Sequence, residues 1–274
     1  SIGQRVEVDG KKMNVYVAGN GPKTLVFLSG SGTSSPILDF KSLYSKLVKD
    51  YRVVVVEKFG YGFSDDWSKD RDLDTILSQT RKALQKADVK GPYVLLPHSM
   101  SGLEAMHWSA SYPKEVEAII GLDMSLSQAY DKYRSNRLLY KTLQLAANLG
   151  LSRWLYSPDK EIRSLSNGSL NPKEKSIYNA LFYRRPLSNA IIKEAEEVKS
   201  NAKLVKQDKV TAIPYLLFVS NGQGTGFAKQ DWQDMSKDFA KEHKNVQLKS
   251  FDVPHYIHSY IPDELAKEIR KFLK

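Results

Sequence analysis

The chain has 274 residues, 41% hydrophobic and 26% charged, with a formal net charge of +10, the balance of a soluble globular protein and not of a disordered one. No apolar run approaches the ~18 residues of a membrane span, and no charged-then-apolar leader opens the chain. The absence of cysteine excludes disulfides, thiolate metal sites and a cysteine nucleophile together, and five histidines without an H-x-x-x-H cluster argue against a zinc centre.

The first element is a hairpin: "QRVEVDGKKMNVYVAG" alternates apolar and polar residues around Asp9-Gly10. "TLVFLSG" (Thr24–Gly30) and "RVVVVEKFG" (Arg52–Gly60) are apolar runs closed by glycine, as in strands covered on both faces. Helical spacing runs from Phe40 to Lys49 and again, clearly amphipathic, from Leu73 to Ala87, with Asp72 or Asp74 near its start. The pattern then repeats with "PYVLLP" as strand, Ser101–Ser111 as helix and "VEAIIGLD" as strand. After an interruption come the strand Pro214–Ser220, the helix Asp231–Lys241, the strand "VQLKSF" and the closing helix Asp263–Leu273. Strands alternating with helices of this length predict an α/β fold, a mostly parallel sheet with helices on both faces. In such sheets ligands bind beyond the carboxyl ends of the strands.

The interruption, 125–209, is rich in Leu, Tyr and Arg and has helical spacing throughout. It reads as a helical lid inserted into a core formed by 1–124 and 210–274. Between Ser125 and Val210 there are 16 Lys and Arg against eight Asp and Glu, whereas the rest of the chain holds 25 against 23. The charges are scattered and not interleaved with stacking aromatics, so a solvated helical surface is expected and nucleic acid is not an expected partner. The sequence starts at Ser1 without a methionine. Location is therefore left open between the cytoplasm and, with an N-terminal segment removed, export or anchoring; membrane contact is expected only in that last case.

The chemistry centres on "YVLLPHSMSGLEAM". A sharp strand-to-helix turn, G-x-S-x-G, lifts a serine above a sheet and aims the next backbone N–H at a reacting oxygen. Here the turn reads Pro97-His98-Ser99-Met100-Ser101-Gly102, with proline and serine at the two small positions. Proline is tolerated where a strand's ladder ends, and serine is small. A serine hydroxyl needs a base, a group that orients the base, and two donors for the oxyanion. "FDVPHYIHSYIP", after the last strand, offers His255 and His258 as base; His255 sits where a loop can bend over the sheet. His98 should point away from Ser99, and His107 and His243 read as structural or solvated.

Four blocks in order, "LVFLSGSG", "VEKFGYGFSD", "PHSMSG" and "PHYIHSYIP", resemble those of the α/β-hydrolase family over nearly the whole chain. The resemblance implies a serine hydrolase with a lid and no cofactor or metal, in which Ser99 is the nucleophile and His255 the base, since His255 precedes Pro262 by the family's seven residues. The usual acid position after "PYLLFVS" is empty of carboxylates in "NGQGTGFAKQ". The family's alternative, an acid just after the strand before the lid, falls on Asp123. Rivals are Asp231, with Gln223 or Asn221 as neutral orienters, and Asp123 could instead cap a lid helix. The oxyanion donors would be the backbone N–H groups of Ser31 and Met100. "FGYGFSD" is architectural in this reading, with Tyr61 or Phe63 lining the pocket. The expected reaction is hydrolysis of a carboxylic ester, with thioester or amide as variants, through an acyl-enzyme on Ser99. The alternatives are a non-catalytic small-ligand binder and a proline-type peptidase, and the aspartate-nucleophile relatives are excluded by the serine at 99. Leu, Tyr and Trp154 of the lid suggest an apolar acyl pocket, with Arg184 and Arg185 greeting an anionic group.

Overall fold

The computed structural model describes residues 2–149, 157–184 and 187–274. Eight strands form one sheet: β1 (Gln4–Val8), β2 (Lys11–Ala18), β3 (Thr24–Leu28), β4 (Arg52–Glu57), β5 (Tyr93–Pro97), β6 (Val116–Leu122), β7 (Tyr215–Val219) and β8 (Val246–Ser250), in the order β1-β2-β4-β3-β5-β6-β7-β8. The β1–β2 hairpin and the β2–β4 pair are antiparallel, and every pair from β4 to β8 is parallel. The turn of the hairpin is Asp9-Gly10, both at positive φ, as its two central positions require.

Alternation along the strands builds two cores, one on each face. Val26, Val54, Leu95 and Leu217 point to one face, under α3 (Leu73–Lys86), α4 (Ser101–Ser111) and α10 (Lys229–Glu242). Leu25, Val53, Val94 and Leu216 point to the other, against α1 (Pro36–Asp39), α2 (Lys41–Tyr44), α11 (Ile257–Tyr260) and α12 (Pro262–Phe272). Two covered faces explain why the central strands read as unbroken apolar runs. The helix expected over Phe40–Lys49 starts earlier and is divided at Phe40 into α1 and α2. There the Phe40 ring packs on Phe27 and on His258, and the turn before it sends Asp39 inward to His258.

The segment between β6 and β7 is helical where described: α5 (Arg137–Asn148), α6 (Pro158–Glu161), α7 (Arg163–Ser166), α8 (Pro172–Arg184) and α9 (Asn189–Gln207), after a 3-10 turn at Ser127–Tyr130. Ser1, Trp154 and Arg185 lie outside the described residues. Its longest helix, α9, begins at Ser188, whose side chain accepts from Ile191 N–H. Asp66 fastens the same end, its carboxylate accepting from the backbone N–H groups of Asn189 (3.0 Å) and Ala190 (3.1 Å). Among the described residues no helix is long and apolar enough to cross a membrane.

Candidate active site

The β5–α4 turn holds Ser99 at φ +54°, a left-handed conformation that non-glycine residues adopt rarely and at a cost. Two N–H groups, of Gly102 and Ser125, converge on its carbonyl at 2.9 Å each and fix the strained turn. Close approach demands two glycines nearby. A Cβ on Gly30 would stand 2.8 Å from Ser99 Cβ, and one on Gly102 would stand 2.4 Å from the Ser125 carbonyl oxygen. The two departures in the turn are both accommodated. Pro97 closes the strand, and the following His98 N–H continues the ladder to Leu28 O at 2.9 Å. Ser101 is buried with its hydroxyl bonded at 2.7 Å to Leu28 O and 2.8 Å to His98 O, so it adds no orphaned polar atom.

Ser99 Oγ lies 2.8 Å from His255 Nε2, and His255 Nδ1 lies 2.6 Å from Asp123 Oδ2. An ionised Asp123 accepts from Nδ1–H, which leaves the Nε2 lone pair facing the serine hydroxyl. Asp123 follows β6, also at positive φ (+51°), and is buried. Its charge is tolerable there because donors surround it. Oδ1 accepts from Ser220 N–H (2.7 Å) and Trp232 Nε1–H (2.8 Å), and Oδ2 accepts from the Ser220 hydroxyl (2.6 Å) as well as from His255. Asp231 is exposed on the first turn of α10, Asn221 bonds Asp252, and Gln223 meets His255 through its own carbonyl and the His255 N–H. None of these rivals orients the ring.

His98 does not turn away from the site. Its ring packs on those of His255 (centroids 4.6 Å apart), Tyr256 (4.5 Å) and His258 (4.8 Å). Burial, and secondarily the neighbouring His255 and His258, hold its pKa well below the usual histidine value, so it is neutral and its Nε2–H donates to His255 O at 3.1 Å. His258 is fully buried against Asp39 (2.8 Å), and Tyr256 carries a phenol pushed up to about 12 by burial, then by Asp39, and bonds Thr33 Oγ1 at 3.0 Å.

A cleft of about 870 Å³ opens on Ser99 and His255, with Gly30 and Ser31 at its floor and Tyr130, Tyr133, Phe227 and Trp232 on its walls. No backbone carbonyl among the described residues takes the N–H of Ser31 or of Met100. A second recess of about 390 Å³, lined by Ile162, Tyr178, Phe182 and Tyr260, lies across Tyr256 and His255 from the first. Tyr61 and Phe63 line neither. Tyr61 is buried and donates to Glu194 at 2.6 Å, so the loop serves to seat α9, and a Cβ on Gly60 would strike the Ser188 hydroxyl at 2.3 Å. Arg184 faces a different, minute recess beside Ser34 and Leu181. The cleft rim carries Asp131, Asp231, Asp234 and Asp238 against Lys132, with Asp131 paired to Lys206, so the described cations between β6 and β7 are not gathered on the site.

Sequence reasoning missed Ser220 and Trp232 as partners of Asp123. The one available signal was their position, at the end of β7 and in the helix after it, where a family acid would otherwise stand.

The profile of the alpha/beta hydrolase fold family matches residues 23–239. An uncharacterized Bacillus subtilis protein, YbdG, is 37% identical over 280 residues, covering 99% of this chain and 86% of that protein. The crystal structure of Cfl2 from Burkholderia cenocepacia superposes with a TM-score of 0.75 at 18% identity, over 99% of this chain and 95% of that one. An enol-lactonase from Burkholderia xenovorans LB400 does so with a TM-score of 0.71 at 14% identity, over 98% and 99% of the two chains. At such identities the likeness concerns the fold. The match over most of the sequence, with the sheet order and the turn after β5, settles membership: this chain belongs to the alpha/beta hydrolase fold family.

Proposed function

We propose that the protein is a serine hydrolase of carboxylic esters, with Ser99 as nucleophile, His255 as base and Asp123 as the acid that orients it. The observation that carries the reading is the continuous chain Asp123–His255–Ser99 at 2.6 and 2.8 Å, opening on a cleft. Ser99 Oγ attacks the ester carbonyl while Nε2 of His255 takes its proton. The oxyanion is held by the N–H groups of Ser31 and Met100, which are supplied by the β3 loop and the elbow. His255 then returns the proton to the departing alcohol. Water, deprotonated by the same nitrogen, cleaves the acyl-enzyme and regenerates Ser99. Asp123 stays ionised throughout, keeping the Nδ1–H tautomer and balancing the imidazolium. Thioesters and amides fit the same sequence of steps. Residues 125–209 act as a lid in this reading: Tyr130 and Tyr133 wall the cleft, and Ile162 and Phe182 the recess beyond Tyr256.

The test is hydrolysis of a short p-nitrophenyl ester together with labelling by a fluorophosphonate. Turnover and covalent labelling at Ser99 are expected, and Ser99→Ala should lose both while keeping its circular dichroism and melting temperature. Undiminished turnover in that variant would remove the proposal; silence toward the label would turn the reading to a ligand binder. The rim aspartate Asp231 supports a second reading, the peptidase variant in which a free amine flanks the scissile amide. Cleavage of amino-acid p-nitroanilides, lost on N-acetylation, would favour it over the esterase.

A further inference from the structure

Helix α5, "RLLYKTLQLAAN", is capped by Asn136 Oδ1, which accepts from Leu139 N–H at 3.0 Å. Its apolar residues recur with the period that normally buries one face. Here the face is turned outward. Leu138 is 79% exposed, Leu145 60% and Leu149, one residue past the helix, 69%, while Leu139 and Leu143 are also exposed. At roughly 100° per residue, Leu138, Leu145 and Leu149 fall within about 40° of one another, while Leu139 and Leu143 lie on the flank, roughly 80° and 120° from Leu149. Small and polar side chains hold the helix down. Ala147 is buried, Tyr140 bonds the Tyr133 hydroxyl at 3.1 Å, and Gln144 donates to Leu187 O at 2.8 Å. An exposed leucine stripe of this kind marks an interaction site.

The charge around it identifies the partner. Lys132, Arg134, Arg137 and Lys141 are all exposed, and no Asp or Glu occurs from Lys132 to Leu149. Asp131, just before, is taken by Lys206; Arg137 reaches Glu196 at 3.3 Å and remains largely in solvent. We propose that the leucine face of α5, with the cations that flank it, is a docking surface for an anionic lipid bilayer. Leucines enter the acyl boundary while lysine and arginine meet phosphate headgroups, the arrangement of a helix lying in the interface. A second copy of the chain is the poorer occupant, because a two-fold contact would bring four cations of one copy against the same four of the other.

The test is co-sedimentation of the full chain with vesicles of phosphatidylcholine alone and with about 30 mol% phosphatidylglycerol. Binding to the anionic vesicles is expected to exceed binding to the neutral ones by at least ~10-fold and to weaken sharply at about 0.5 M salt. Lys141→Ala should weaken it roughly fivefold, and the double variant Leu138→Ser, Leu145→Ser by at least ~10-fold, with circular dichroism and p-nitrophenyl acetate turnover unchanged. Equal binding to both vesicle types, no binding at all, or a leucine double variant that binds as wild type would overturn the proposal. So would a wild-type dimer in sedimentation velocity that the double variant abolishes while neither protein binds vesicles, since the face would then belong to a second copy.

Discussion

Replacing Asp123 by Asn tests the charge and the tautomer at once with almost no change of shape. All four hydrogen bonds at the wild-type carboxylate come from donors, two on each oxygen. An amide has one acceptor oxygen and one NH2 group, so whichever way it turns, the NH2 must face two donors. If Nδ2 faces His255, the ring can only answer with an unprotonated Nδ1, which places the proton on Nε2 and aims it at Ser99. That tautomer cannot accept the serine proton. The expected loss is about 10⁴ in kcat, equivalent to ~5.5 kcal/mol of transition-state stabilisation. If Nδ2 faces Ser220 and Trp232, the catalytic tautomer survives but the Ser220 N–H and the indole N–H are buried without acceptors, at ~1–3 kcal/mol each. The first orientation is therefore favoured, because the imidazole can change tautomer and the backbone N–H cannot. Stopped-flow acylation with a p-nitrophenyl ester reads the loss directly, and thermal unfolding shows that the variant is folded. A folded Asp123→Asn protein with kcat within tenfold of wild type would refute the assignment of the acid and, with it, the argument about the tautomer.

Two further outcomes follow from local geometry. Gly30→Ala forces a methyl group to 2.8 Å from Ser99 Cβ, so the elbow must shift; kcat should fall by roughly 10²-fold with a modest loss of stability, and an unaltered kcat would show that the turn has slack. His107, buried in α4, bridges Asp74 (2.7 Å) and Asp208 (2.8 Å); burial lowers its pKa, but the two carboxylates together outweigh burial and raise it above the usual 6.5. A raised folded-state value means that the stabilisation is whole below the unfolded value and fades as pH climbs through the folded one. The stability gap between wild type and His107→Gln, from urea titrations, should be wider at about pH 6 than at about pH 9, and a gap independent of pH would refute the bridge.

How much was legible from sequence follows the range of the interactions involved. "TLVFL" and "RVVVV" announced a sheet covered on both faces because burial of a strand is written in consecutive residues. The strand-to-helix break at Ser99 was visible for the same reason, being written in six consecutive residues, whereas the contacts of Ser125 and Gly30 that hold it were not. Asp123 could be reached only by noticing that the later loop lacks a carboxylate, and its donors could not, since Ser220 and Trp232 are 97 and 109 residues away. Tyr61 and Phe63 were expected in the pocket because aromatic rings beside glycines fit a binding loop equally well. What decides is Glu194, whose carboxylate draws the Tyr61 hydroxyl inward from a helix more than a hundred residues later. The surplus of cations in 125–209 was countable, whereas its placement away from the Ser99 cleft depends on how α5 to α9 pack.

That packing rests on a buried charge cluster whose removal should be felt in stability before it is felt in chemistry. Lys58 Nζ lies 2.9 Å from Glu104 Oε2 and 3.7 Å from Glu194 Oε1, and Arg71 reaches Glu194 at 3.0 Å; all four side chains are buried. Glu104 belongs to α4, the helix that starts after Ser99, and Glu194 to α9, so Lys58 joins the two. In Lys58→Met, Glu194 keeps Arg71 and Tyr61, but Glu104 loses the one cation that lies within hydrogen-bond reach of it among the described residues. An uncompensated buried carboxylate costs ~3–5 kcal/mol, which for a chain of this size lowers Tm by roughly 10 °C. The cost should depend on pH in a defined direction. Burial already raises the Glu104 pKa against the pull of Lys58, and without Lys58 the rise is larger. A carboxyl raised above its unfolded value favours the folded state at low pH and loses that advantage as pH climbs, so the penalty at about pH 7 should shrink toward pH 5. Adding Glu104→Gln to Lys58→Met removes the stranded charge and should recover about half of the loss at neutral pH. Destabilisation by Lys58→Met that is insensitive both to pH and to Glu104→Gln would mean that the lysine acts through its aliphatic stem, and the electrostatic join between α4 and α9 would have to be given up.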